Sequence, residues 1–301
     1  MIHIIITSYN EPKSTLRAIN SFLNQKIKKE FKIIVCDPFP EVKEFLKQHV
    51  HNKNVGFFLD PGEGKSYALN LLFNQLNSNN KDDLFILTDG DVYVSDNAVE
   101  KILDAFKDKE VGCVTAKPIP IDSKDTKYGF WASVAFKGID KTRRRLSKAN
   151  KFLECSGYLF AIRKNVISDF PLEGSEDGII AYLFWKKGYK IKYLPEVEVY
   201  VKNPGNWHDY KLQKIRNIKG HENYSKLFPE MPRTKTFWNE VKEGMFAPLI
   251  SIRSFPQFFW AIELYFARLY IYLKAFSDMK KKEEYSDGWR ENETESTKPL
   301  D

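Results

Sequence analysis

The chain has 301 residues, 43% of them hydrophobic and 29% charged, with 47 Lys and Arg against 40 Asp and Glu for a formal net charge of +7. That is the balance of a globular protein with one substantial core plus an appendage, or two small domains, and its three cysteines exclude a disulfide-stapled framework and a zinc-binding spacing. The positive excess permits nucleic acid, anionic lipid or a phosphorylated substrate as partner and does not choose among them.

The opening MIHIIITSYN carries no basic leader and no cleavage-type segment, so no secretory signal is expected. Cys36, Cys113 and Cys155 stand among apolar neighbours, as core thiols do, and predict a reducing, cytoplasmic setting. IHIIIT reads as a strand, SYNEP as a turn, and KSTLRAINSFLNQ as a helix, with Leu16, Ile19, Phe22 and Leu23 at helical spacing. The cycle repeats with FKIIVCD, a helical EVKEFLKQHV, VGFFLD, a helix from Tyr67, and LFILTD. Strand alternating with helix predicts an α/β fold with a buried, mostly parallel sheet flanked by helices. In open sheets of this kind ligands gather at the carboxyl ends of the strands, which singles out Thr7 to Glu11, Asp37, Asp60 to Lys65, and Asp89 to Asp91. DPGEGKSYALN, residues 60–70, invites comparison with an ATPase phosphate loop, but that motif needs a glycine where Leu59 stands.

Beyond residue 111 the pattern is mixed. VGCVTAKP predicts a strand, CSGYLFAIRKNVI a strand leading into a helix, EDGIIAYLFWKKG a helix ended by Gly188, and YKIKYLPEVEVYV a strand pair or one long bent strand. Residues 137–151, KGIDKTRRRLSKANK, carry seven basic residues and one acid; they read as a solvated helix or loop, or as a mobile loop meeting a diphosphate or an anionic acceptor. Segment 254–276 is intensely apolar yet interrupted by Glu263, Arg268 and Lys274, short of the about 18 to 20 uninterrupted residues a bilayer crossing needs. It is expected as a helix packed on the domain or lying in a membrane surface. From Met279 the chain is charged and lacks apolar periodicity, and is expected to be disordered.

Three constellations could carry chemistry. Asp89 and Asp91 flank Gly90 after an apolar strand; residues two apart on an extended backbone point the same way, so the carboxylates could share a hard cation, or simply end the strand in a turn. Glu176 and Asp177 stand at a helix start, where acids complement the dipole or, at the rim of a site, one could accept a proton as general base. Gln213 and Arg216 are neighbours on one helix face, suited to a diphosphate or to a surface ion pair. His208 and His221 flank them, each a metal ligand or merely structural.

The order and setting of SYNE, Asp37, GEGKSYALN, DGD, SGYLFAIRKNVI, SEDGIIAYLFWKKGYKI and LQKIRNIKG resemble inverting family-2 glycosyltransferases of the GT-A fold, over residues 1 to about 220. The resemblance implies a Rossmann-like catalytic domain, set at 1–226, to which composition adds an aromatic-rich helical extension over 227–278 and a charged tail over 279–301. It implies a nucleoside at Thr7, Tyr9 and Glu11, a base-reading acid at Asp37, though Pro38 replaces the usual second acid, and nucleotide phosphates facing Gly64 and Lys65. Asp89 and Asp91 match the family's D-x-D that ligates Mg2+ or Mn2+, Asp177 with Glu176 beside it matches the general base, and Gln213 with Arg216 begins the Q-x-x-R-W motif. Asn217 replaces the tryptophan of processive synthases, which implies a single transfer. The implied partners are a UDP- or GDP-linked sugar and a glycan or lipid-linked acceptor, without nucleic acid; the aromatic composition of 254–276 adds an expectation of peripheral contact with the inner face of a membrane. A nucleotidyltransferase would need a glycine-rich, Arg-containing loop that TSYNEPKS lacks; a noncatalytic binding module would not need Asp89, Asp91 and Asp177 together.

Overall fold

The computed structural model describes residues 1–76, 78, 80 and 82–281. Its first half is a wound sheet: β1 (Ile2–Thr7), α1 (Pro12–Leu23), β2 (Phe31–Asp37), α2 (Pro40–His49), β3 (Val55–Leu59), α3 (Lys65–Gln75) and β4 (Leu84–Asp89). The isoleucines of β1 are needed on both faces. Ile2, Ile4 and Ile6 enter the core shared with Ala18, Ile19 and Val42 of α1 and α2, whereas Ile5 points into the core of Leu69, Leu72 and Phe73 on α3. A strand covered on both faces reads as a continuous apolar run, which is why IHIIIT does not alternate. Pro12 and Pro40 begin α1 and α2, where a missing N–H breaks no helical hydrogen bond.

The second half adds β5 (Tyr93–Val94), α4 (Ala98–Ala105), β6 (Val111–Pro120), α5 (Lys127–Lys148), β7 (Leu159–Arg163), α6 (Glu176–Lys186), β8 (Lys190–Val201) and α7 (Trp207–Leu227). The strands form one mixed sheet in the order β3-β2-β1-β4-β7-β6-β8-β5. β1, β2, β3 and β4 run parallel; β7 is antiparallel to both β4 and β6, and β6 and β8 are parallel again. The switch falls beside β1 and β4, where a crevice opens beyond the strand ends.

One local expectation is corrected and two open alternatives are decided. No helix follows β7: Asn165 turns at a φ of 62°, and Pro171 disfavours helical backbone before it, so α6 starts only at Glu176. The basic run takes its helical alternative, residues 137–148 forming the C-terminal half of α5. YKIKYLPEVEVYV is the single strand β8, whose register against β6 slips between Ala116 and Lys117, opposite the stretch that contains Pro195, a residue with no N–H to donate.

Three further helices, α8 (Phe237–Gly244), α9 (Ala247–Ile250) and α10 (Phe255–Lys280), form the extension. One face of α10, with Ala261, Leu264, Ala267, Ile271 and Ala275, packs on Phe130, Trp131 and Val134 of α5 and Tyr210, Ile215 and Ile218 of α7. The other face is also apolar and is exposed: Phe255, Phe259, Ile262, Phe266, Leu269, Leu273 and Phe276 recur at helical spacing. No described helix is long and apolar enough to cross a membrane. α10 continues through Met279 to Lys280; the rest of the tail expected from 279, residues 282–301, lies outside the described residues.

Candidate functional site

Beyond the carboxyl ends of β1, β3 and β4 lies a cleft of about 610 Å³ whose lining includes Thr7, Tyr9, Glu11, Gly64, Lys65, Asp89 and Asp91. β1 and β4 are in register with Thr7 opposite Asp89, and Gly90 N–H donates to the Thr7 carbonyl at 2.7 Å. A Cβ on Gly90 would come within 2.6 Å of Ser8 Cβ, so the two acids are separated by the one residue that lets the chains approach this closely. Asp91 is 3% exposed, at the bottom of the cleft wall, and Asp89 is half-buried.

Lys65, the first residue of α3, reaches across the opening. Its Nζ donates to Asp89 Oδ1 and pairs with Glu176 Oε1, each at 2.6 Å. Burial alone would lower its pKa, but the Asp89 and Glu176 carboxylates outweigh that and hold the ammonium well above the ordinary lysine value. Glu176 is paired with Lys65, and both it and Asp177, next in the chain, line the cleft. Asp177 Oδ2 accepts from Gly157 N–H and Oδ1 from Gly178 N–H, each at 2.8 Å, which fixes its carboxylate plane.

Asp37 does not line the cleft. It is fully buried, accepting from Ser8 Oγ at 2.5 Å, Asn10 N–H at 3.1 Å and Phe39 N–H at 2.8 Å. Burial pushes its carboxyl up, and these three hydrogen bonds oppose the rise. Its visible work is to tie the β1 loop to the β2 end, whereas Tyr9, 52% exposed, meets Phe39 edge-on and is free to contact a ligand.

The opposite wall comes from α5, α7 and the segment before α8. Gln213, 8% exposed, and Arg216 line the cleft, as does Asn217, and Gln213 Oε1 accepts from Lys214 Nζ at 3.0 Å. His208 is exposed at the start of α7 and does not line the cleft; His221 does. Sequence reasoning missed Glu154, which is buried against His221 Nδ1 at 3.3 Å and Lys235 Nζ at 2.9 Å and also accepts from Thr234 Oγ1. Burial pushes the His221 ring toward its neutral form, against the pull of Glu154 and Asp177, and Lys235 Nζ pairs with Glu154. Burial would raise the Glu154 carboxyl, but its polar neighbours hold it below its ordinary value. These residues meet only through tertiary packing, and nothing in their spacing announces them.

Among the described residues no three or more His, Cys, Asp or Glu side chains group to hold a metal ion. Two carboxylates, Asp89 and Asp91, on the cleft wall still fit Mg2+ or Mn2+ bound in the manner of phosphate-handling sites, where substrate phosphates and water complete a shell of hard oxygen donors.

A family model described as glycosyl transferase family 2 matches residues 3–170, more than half of the chain. The chain belongs to glycosyl transferase family 2. The matched part of this family-2 chain contains the loop after β1, Lys65, Asp89 and Asp91, and stops short of Glu176, Asp177, Gln213 and Arg216. Among solved structures it is similar to GalNAc-T7, crystallised with UDP, GalNAc and Mn2+, at 17% identity and a TM-score of 0.51. That match covers 87% of this chain and 56% of the other, and it places the family-2 chain in the GT-A fold. No curated protein matches.

Proposed function

We propose that the protein transfers a sugar from a nucleotide-sugar donor to an acceptor hydroxyl, with inversion at the anomeric carbon and a divalent cation, Mg2+ or Mn2+, held by Asp91 and Asp89. The observation that carries this reading is the convergence of Asp89, Asp91, Lys65 and Asp177 on one cleft in a family-2 chain. The nucleoside enters over Tyr9 and Thr7, with Glu11 beneath, and the loop through Gly64 lets the phosphates approach α3. Asp37 then acts through the loop it anchors. The cation supplies charge neutralisation for the departing diphosphate; Lys65 and Arg216 add positive charge that needs no reorganisation as the bond breaks. Asp177, oriented by Gly157 and Gly178, takes the acceptor proton during in-line attack. Lys65 keeps Glu176 paired, leaving one carboxylate to act as base. Asn217 in place of a polymer-supporting tryptophan favours a single transfer.

Incubation with Mn2+ or Mg2+ and a panel of UDP-, GDP- and dTDP-sugars should release nucleotide, with Asp91→Ala as control, and the product's anomeric configuration by NMR tests inversion. Release that is unchanged by chelation or by Asp91→Ala would remove the cation from the reading.

A peripheral membrane position is proposed as well. The outer face of α10 presents Phe255, Phe259, Phe266 and Leu273 to solvent, and Phe246 before α9 and Ile250 at its end are exposed too. At its start Arg253 N–H donates to Gln257 Oε1, Gln257 donates to the Lys124 carbonyl, and Lys137 feels both Lys124 and Arg253. Aromatic side chains beside such a basic cluster complement an anionic bilayer surface. The protein should sediment with phosphatidylglycerol vesicles, and Phe259→Asp with Phe266→Asp should abolish this. Dimerisation without vesicle binding would assign the face to a second copy instead.

A further inference from the structure

The cleft is electrically divided. Its acids, including Glu11, Asp89, Asp91 and Asp177, come from the ends of β1 and β4 and the start of α6, whereas Arg143, Lys214, Arg216 and Lys235 come from α5, α7 and the segment beyond it. Lys235 is balanced by Glu154. Arg143 and Lys214 are different. Arg143 is 7% exposed; Nη2 donates to the Cys155 carbonyl at 3.2 Å, and Nη1 is buried with no hydrogen-bond partner among the described residues. Lys214 lies over the Tyr210 ring at 5.4 Å and donates to Gln213; no carboxylate pairs with it among the described residues. Burial brings its pKa down to about 8, with Arg268 and Lys235 adding to the fall and Glu240 opposing it. A buried guanidinium with an unsatisfied donor is costly in an isolated protein, and an anionic ligand removes the cost.

The donor diphosphate is given above to Lys65, on the Asp89 side, and to Arg216, which shares α7 with Lys214, so the separation rests on where Arg143 sits. Arg143 bonds Cys155, two residues before the Gly157 that holds Asp177, and Glu154, one residue earlier, holds Lys235, whose charge reaches Lys214. The cationic wall therefore borders Asp177, where the proposed acceptor must sit, and this step rests on the donor and base assignments above. We propose that Arg143 and Lys214 form an acceptor subsite for an anionic group, a phosphate or carboxylate carried by the acceptor.

The probe is inorganic phosphate, titrated calorimetrically into the full chain saturated with UDP or GDP and Mn2+, and into the nucleotide-free chain. The expected result is binding in both states, weakened about tenfold or more by Arg143→Gln and by Lys214→Gln, as loss of a charge-assisted contact predicts, with nucleotide affinity kept within about twofold. Arg143→Lys should recover part of the loss, and Lys214→Gln stands if Arg143→Gln fails to fold. Displacement of phosphate by farnesyl phosphate, glucose 6-phosphate or glucuronate, but not by glucose, distinguishes a lipid from a glycan source. Phosphate excluded by bound nucleotide, or variants that weaken nucleotide as much as phosphate, would overturn the proposal by giving both cations to the donor. If no nucleotide binds at all, the donor reading fails, and the nucleotide-free titration still decides whether Arg143 and Lys214 hold an anion.

Discussion

One wall of the cleft is built from strand ends and the other from helix sides, and the two differ in charge and in how they are held. The strand-end wall is acidic and fixed by backbone: Gly90 bonds Thr7, Gly157 bonds Asp177, and the loop after β1 is tied to Asp37. The helix-side wall is basic and fixed by packing, through the aromatic core that α5, α7 and α10 share. In the proposed reading, Asp177, the base, is held by the backbone N–H groups of Gly157 and Gly178, whereas the charges given to an anionic acceptor sit on the long stems of Arg143 and Lys214.

The largest expected effect lies on the first wall. Asp177→Asn should lower turnover about 10²- to 10⁴-fold while leaving nucleotide affinity within a few-fold, as measured by steady-state kinetics beside nucleotide titration. Equal loss of both would mean that Asp177 binds the donor. Asp91→Asn should cost about 10²- to 10³-fold in turnover and also reduce Mn2+-dependent nucleotide binding. Retention of that binding would move the cation elsewhere.

The second wall should break through its packing. Ile271→Ala, fully buried between α10 and the α5–α7 pair, should cost about 2 to 5 kcal/mol in chemical denaturation, whereas Phe266→Ala on the opposite, exposed face should change stability by less than about 0.5 kcal/mol. Equal costs would show the outer face to be covered in solution.

The smallest effect is a pH dependence between the walls. His221 titrates near 6.5 in the unfolded chain and at about 4 in the folded one, so the unfolded state binds more protons in that window and stability falls as pH drops through it. His221→Asn should flatten the loss of thermal midpoint between about pH 6.5 and 4, and an unchanged slope would place the titration on other groups.

How far each wall could be read from the sequence follows from the same contrast. Asp89, Asp91 and the Gly64-Lys65 turn come directly after apolar runs, so strand polarity alone sends them to one edge of the sheet. Arg143 could be seen only as part of a basic run, because its burial depends on how α5 meets the turn at Cys155. Glu154, Lys235 and His221 lie in three segments up to 81 positions apart, and only the folding of α7 and the following segment over α6 brings them together. The apolar content of α10 was plain in the sequence, but the division of that content between a packed and an exposed face was not, since apolar residues recur on both faces. The missing helix after β7 has a local cause: apolar spacing continues through Val166 and Ile167, but Asn165 and Pro171 interrupt the backbone.

The buried Asp37 has a consequence for the speed of donor capture. With Ser8, Asn10 and Phe39 already fastened to it, and Asn10 already wound to a φ of 53°, the rim proposed to receive the nucleoside is held by its own hydrogen bonds beforehand. An incoming base then meets a finished ledge and gives up little entropy for arranging it, so encounter rates here should respond to viscosity more than to temperature-dependent loop closure.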